Sequence, residues 1–227
     1  MSGLLASLPE IGHLALWLAA ASALLLAVSP LHRTLEGLAV PAALAQGALT
    51  LLAFGIMGWS FWISDFSVEL VAANSHTMKP ALYKLTGVWA NHEGSMLLWV
   101  LILAVAGLLM ALVPVPLGRS FKARTLSVIG IVSLGFFAFL LLASNPFSRL
   151  DPAPTQGNGL NPLLQDPGLA FHPPTLYVGY VGLVVAFALA VAALLDGKVG
   201  PAWAKAARPW VSGAWAFLTL GIAMGAW

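Results

Sequence analysis

The sequence predicts an all-α fold, a polytopic integral membrane helical bundle of about six transmembrane helices with both termini on the outer side. Two observations predict it. Of the 227 residues, 60% are hydrophobic and only 8% are charged, with a mean hydropathy of +0.92. An ordinary soluble domain carries about 25% charged residues. The second observation is the spacing of apolar stretches. Six of them, each near the roughly 20 residues that cross a hydrocarbon core, are separated by turn signals.

The spans fall at about 11–29, 40–63, 92–113, 125–144, 174–195 and 209–227. The opening "MSGLLASLPEIGH" has neither a basic start nor a small-residue cleavage site, so the first segment reads as a retained span. Three connections are short and carry Arg33, then Arg119, Lys122 and Arg124, then Lys198, Lys205 and Arg208. The two long ones, about 64–91 and 145–173, carry only Lys79, Lys84 and Arg149. Seven basic residues against three place the short loops in the cytoplasm. Trp59, Trp62, Trp203 and Trp210 suit interfacial anchoring at helix ends. In the fifth span Gly179, Gly182, Ala186, Ala190 and Ala193 form a small-residue stripe, and the sixth holds the pair Gly221 and Gly225. Such residues let helices approach closely in a membrane. The whole of 1–227 reads as one transmembrane domain, and its end, "LGIAMGAW", lies inside an apolar run. We expect that end to be a cut made in a longer polytopic chain, or the chain to be one piece of a split one.

Composition also excludes chemistry. With no cysteine there is no thiolate nucleophile, disulfide or iron–sulfur site. The net charge of +2 is scattered and suggests no nucleic-acid partner. GxSxG, P-loop, GxGxxG and HExxH patterns are missing. No Asp, Glu, Lys, Arg or His occupies the middle of a span, which disfavours a pump or ion transporter.

The ionisable groups that remain gather at helix ends. His13, His92 with Glu93, and His172 open the first, third and fifth spans, so on this orientation they share the outer face. For His13 and His32 the plain reading is a polar residue at a helix end. His172 lies in "DPGLAFHPPTLYVGYVG". Pro173 and Pro174 suit the first positions of a helix and push the preceding residue into an extended conformation. His172 is therefore expected just before the helix, its ring near the membrane surface. There the helix start disfavours a positive charge, and a neutral imidazole can ligate a metal. Tyr177 and Tyr180 could wall that site. A turn histidine bonded to its own loop is the competing reading. His92 and Glu93, adjacent in "WANHEGSMLLWV", diverge on a helix; one could cap it or touch the loop.

Long stretches resemble a known family. "EIGHLALWLA", "DFSVELVAANS", "YKLTGVWANHEGSMLLWV", "LGFFAFLLLASNPFSRL", "LNPLLQDPGLAFHPPTLYVGYVG" and "RPWVSGAWAFLTLGIAMGAW" resemble, in order, the amino-terminal part of the CcmF haem lyase family of cytochrome c-type biogenesis proteins. The resemblance implies a multi-pass protein of the bacterial inner membrane with a periplasmic working face. It implies that haem is received from the haem chaperone CcmE and delivered to apocytochrome c, with CcmH and CcmI as partners. It implies that His172 is an axial ligand to the transferred haem iron, the first of two outer histidines. His92 and Glu93 belong to the family's HEGS motif without an implied role. "NSHT" stands where "NSNT" is expected, so His76 is a local variant. The family's tryptophan-rich tract, its second outer histidine and its resident haem b site are expected beyond residue 227, in the remaining portion of the protein. Alternatives are a non-catalytic scaffold docking other maturation proteins, and the homologous lyase dedicated to a nitrite reductase.

Overall fold

The computed structural model describes residues 7–226, Leu169 by its backbone alone. Nine α-helices follow one another among them: α1 Leu8–Val28, α2 Arg33–Glu36, α3 Ala39–Ile63, α4 Glu69–Asn74, α5 Ala81–Thr86, α6 His92–Leu112, α7 Arg119–Ala143, α8 Pro167–Asp196 and α9 Pro201–Ala226. Six of these, α1, α3, α6, α7, α8 and α9, are long and apolar enough to span a membrane. Among the described residues there is no β-strand, only one isolated bridge between Val68 and Arg149. The chain is a multi-pass membrane protein.

α1 packs on α3 and α7, α3 on α6, and α8 on α6, α7 and α9. The core runs the length of the bundle. At one end it is built from Leu16, Met57, Phe61, Leu97, Phe137 and Phe147. At the other it is built from Leu26, Met110, Phe121, Leu126, Val185 and Leu189. α9 sits at the edge, packed on α8, with Trp215, Leu220 and Ile222 more than half exposed.

Both long connections, 64–91 and 144–166, lie at one end of the bundle, here called the loop end. They are zipped together by backbone bonds. Glu69 N donates to Ser148 O at 2.9 Å, Leu150 N to Ser67 O at 2.8 Å and Asn158 N to Ala72 O at 2.8 Å. Gln156 and Thr77 exchange two more bonds. Arg149 reaches back to Glu10 at 3.2 Å and Asp65 at 3.6 Å. At the opposite end, Arg124 of α7 pairs with the buried carboxylate of Asp196, the last residue of α8, which Lys198 also meets at 3.3 Å.

Helix starts differ from the hydropathic expectation. α7 begins at Arg119 and α9 at Pro201, so Arg119, Lys122, Arg124, Lys205 and Arg208 are helical and not in loops. Hydropathy measures lipid preference, whereas a helix extends as long as its hydrogen bonds do; basic side chains lift their heads to the interface. Lys122 also donates to the carbonyls of Ala111 and Val113 at the end of α6, satisfying acceptors that the helix leaves free.

The largest departure concerns α8. Its start is Pro167, not the Pro173–Pro174 pair. Asp166 caps it: Oδ1 accepts from Gly168 N at 2.7 Å, and Ala170 N donates to Asp166 O at 2.9 Å. Asp followed by Pro combines a preferred N-cap with a preferred first helical residue. His172 is not a good cap, so of two polar-residue-plus-proline starts the first wins. The helix gains about two turns. His172 is consequently helical rather than extended, and the second long connection ends at 166.

Candidate functional site at the loop end

α8 and α9 approach backbone to backbone. A Cβ added at Gly179 would lie 2.2 Å from Leu218 N, and one at Gly221 would lie 2.6 Å from Leu176 Cα. Gly182 faces Ala214. The glycines of the two helices, foreseen separately, are thus one interface in which small residues permit close contact.

That closeness places His172. Its Nδ1 lies 2.8 Å from the carbonyl oxygen of Gly221. A carbonyl only accepts, so Nδ1 carries a proton, and in the neutral ring Nε2 is the nitrogen that keeps the lone pair. The ring is half-buried and lies over Gly225, where a Cβ would come within 2.6 Å of His172 Cε1. A carbonyl partner behind one ring nitrogen is the arrangement that orients metal-binding histidines. In the second turn of α8 the dipole of the helix start has largely faded; the tautomer is set by Gly221.

Tyr177 and Tyr180 turn toward α6. Their rings stand edge-on to Trp99, with centroids 5.3 Å away in each case, and Trp99 stacks on Phe136 of α7 at 5.5 Å. Tyr177 also lines, with Trp89, His92, Met96, Leu164 and Pro173, a cavity of about 450 Å³ at the loop end. The imidazole of His172 faces α9 instead. The tyrosines and the histidine therefore occupy different flanks of α8.

His92 and Glu93 diverge. His92 Nδ1 lies 3.3 Å from Ser144 Oγ, and its ring stands edge-on to Phe139. Glu93 points into a separate polar cleft with Glu69, Asn74 and Asn145. Neither caps α6. Asn91 does, its Oδ1 accepting from Gly94 N at 2.7 Å. Gly94 is compelled by a close approach, since a Cβ there would lie 1.5 Å from Val88 O.

Trp89, which flanks His92 and Glu93 in the sequence, has a role that sequence reasoning missed. Its indole Nε1 donates to Ala170 O at 3.0 Å, joining the turn before α6 to the first turn of α8. The remaining histidines have local partners. His13 Nε2 accepts from Trp17, His32 Nδ1 from Thr34 N and His76 Nδ1 from Met78 N. No group of three His, Cys, Asp or Glu side chains is assembled for a metal ion among the described residues.

Comparison with known proteins gives one answer. A family model described as Cytochrome C assembly protein matches residues 89–227. The cytochrome c-type biogenesis protein ccl1 of Rhodobacter capsulatus is 55% identical over 96% of this chain and 34% of its own length. CcmF of Pseudomonas aeruginosa is 50% identical over 97% of this chain and 35% of its own length. A solved structure titled Cytochrome c Heme Lyase CcmF superposes with a TM-score of 0.82 at 30% identity, over 94% of this chain and 35% of that one. The chain spans about a third of the length of these relatives.

Proposed function

This chain belongs to the cytochrome c assembly protein family, and we propose that it forms the haem-ligating, amino-terminal part of a cytochrome c haem lyase. Haem is the substrate here, passed from a haem chaperone to the apocytochrome. His172 supplies one axial ligand to its iron through Nε2, and the remaining portion of the protein supplies the other. The loop end faces the periplasm of the bacterial inner membrane, where CcmE, CcmH and CcmI meet it.

One observation carries this reading. His172 Nδ1 is held by Gly221 O at 2.8 Å, so in the neutral imidazole the free lone pair is on Nε2. Haem iron takes such an imidazole as an axial ligand. Two packed helices fix the ring, so little side-chain entropy is left to lose when iron binds.

A second reading draws on the zipped connections. Loops held by the backbone bonds of Glu69, Leu150 and Asn158 make a firm surface on which other maturation proteins could dock without any haem chemistry in this segment.

One experiment decides. The chain is co-produced with its remaining portion and the haem chaperone, the complex is purified, and its Soret spectrum and cytochrome c yield are recorded for the wild type and for His172→Ala. Ligation by His172 requires a lost or shifted Soret band and little mature cytochrome c. An unchanged band and yield would leave the scaffold.

A further inference from the structure

We propose that Trp89 is a positioning residue for His172, acting through the carbonyl of Ala170; the inference rests on the haem-ligating reading of that histidine. In a regular helix the N–H of residue 174 would bond to the carbonyl of residue 170. Pro174 has no N–H, and its ring crowds that carbonyl. Pro173 likewise withholds a donor one residue earlier. The first turns of α8, which carry His172, thus lack two of the backbone bonds that would join them to the rest of the helix. Such a point is where helices kink.

Trp89 fills the gap. Its indole N–H reaches Ala170 O at 3.0 Å, and Ala170 is buried. An indole N–H only donates, so the bond replaces the missing one in kind. The turn that bears Trp89 is itself held by the run that follows it. Asn91 Nδ2 donates to Gly87 O at 2.8 Å and to Val88 O at 3.3 Å. Ser95 Oγ donates to Trp89 O at 2.7 Å. Gly94 lets this turn lie on the start of α6, where any side chain would strike Val88 O. The turn 87–91 is therefore a fixed anchor on α6, and its indole ties down a helix segment two residues from the imidazole. Movement of that segment would carry His172 Nδ1 off Gly221 O and change where Nε2 points.

The test uses the co-produced complex with four variants: Trp89→Phe, Pro174→Ala, the two combined, and His172→Ala. Phenylalanine keeps the ring and removes only the donor. Alanine at 174 restores the backbone N–H that Ala170 O lacks. Two readouts are taken: amide hydrogen exchange over 167–176, which needs no haem, and the Soret spectrum with retained haem per complex. We expect Trp89→Phe to raise exchange at least tenfold and to lower retained haem severalfold or shift the band. In the Pro174→Ala background the same change should alter neither readout. Unchanged exchange in Trp89→Phe overturns the proposal, as does raised exchange with unchanged haem while His172→Ala loses it. A double variant as impaired as Trp89→Phe also overturns it. If His172→Ala retains its haem, the ligation reading fails, and the exchange data still decide whether Trp89 holds the segment.

Discussion

Gly221→Ala tests the geometry on which His172 depends. The added Cβ would lie 2.6 Å from Leu176 Cα and 2.8 Å from Leu176 N. These are backbone atoms of α8 and cannot rotate aside. Non-bonded carbons prefer about 3.5–4.0 Å, so the two helices must separate by about 1 Å. The Nδ1···O distance at His172, now 2.8 Å, would then open to about 3.8 Å, beyond the range of a hydrogen bond. Overpacking costs about 1–3 kcal/mol and the lost bond about 1 kcal/mol, together about 2–4 kcal/mol. For a chain of this size that is a fall in Tm of about 4–16 °C. Thermal unfolding of the purified chain in detergent measures it. Gly213→Ala is the control on the same helix, where an added Cβ meets nothing within 4 Å and the better helix former should be neutral or slightly stabilising. The imidazole ¹⁵N shifts of His172 report whether Nδ1 keeps its proton in one tautomer. If Gly221→Ala is as stable as Gly213→Ala and the shifts are unmoved, the helices do not pack as described and the orientation of His172 loses its basis.

Three further outcomes are expected. Lys79, whose Nζ donates to Asn74 O at 2.8 Å, has its pKa lowered to about 8 by burial and, secondarily, by Lys84. Competitive acetylation against pH should show its midpoint near 8, and a midpoint above 10 would remove the argument. Since the unfolded chain binds the extra proton between about pH 8 and 10.5, stability should rise with pH across that window. Arg124→Ala strands Asp196, whose side chain is 2% exposed, with only Lys198; we expect a loss of about 3 kcal/mol. Asp196→Asn should cost less, because Arg124 stays partly solvated; the reverse order in denaturant titrations would contradict this. For orientation, Ala153→Cys at the loop end should react with an impermeant maleimide added outside cells, and Pro116→Cys only after permeabilisation. The opposite pattern would turn the bundle over.

What the residues disclosed in advance, and what they withheld, divides along a physical line. The six spans were legible because lipid solvation is a property of each side chain alone, summed over a window. The glycine contacts were half legible: Gly179 and Gly221 each marked a close approach, but not that each would meet the other helix. The start of α8 was misplaced although its signal was present in Asp166-Pro167, since Asp outranks His as a cap. The prolines at 173 and 174 drew attention to the wrong boundary. His172 itself could be picked out, but its tautomer is decided by a carbonyl 49 positions away. Trp89 could be noted only as flanking His92 and Glu93, because its partner is 81 positions away and is a backbone oxygen that no residue type announces. Yet a rule for finding such a residue follows. Wherever proline interrupts a buried helix, the carbonyl four residues earlier needs a donor from elsewhere, and in this chain that donor sits beside the motif whose role the sequence left blank. The glycine of "HEGS" is there so that the turn bearing Trp89 can lie on α6. His92 and Glu93 flank that arrangement without taking part in it.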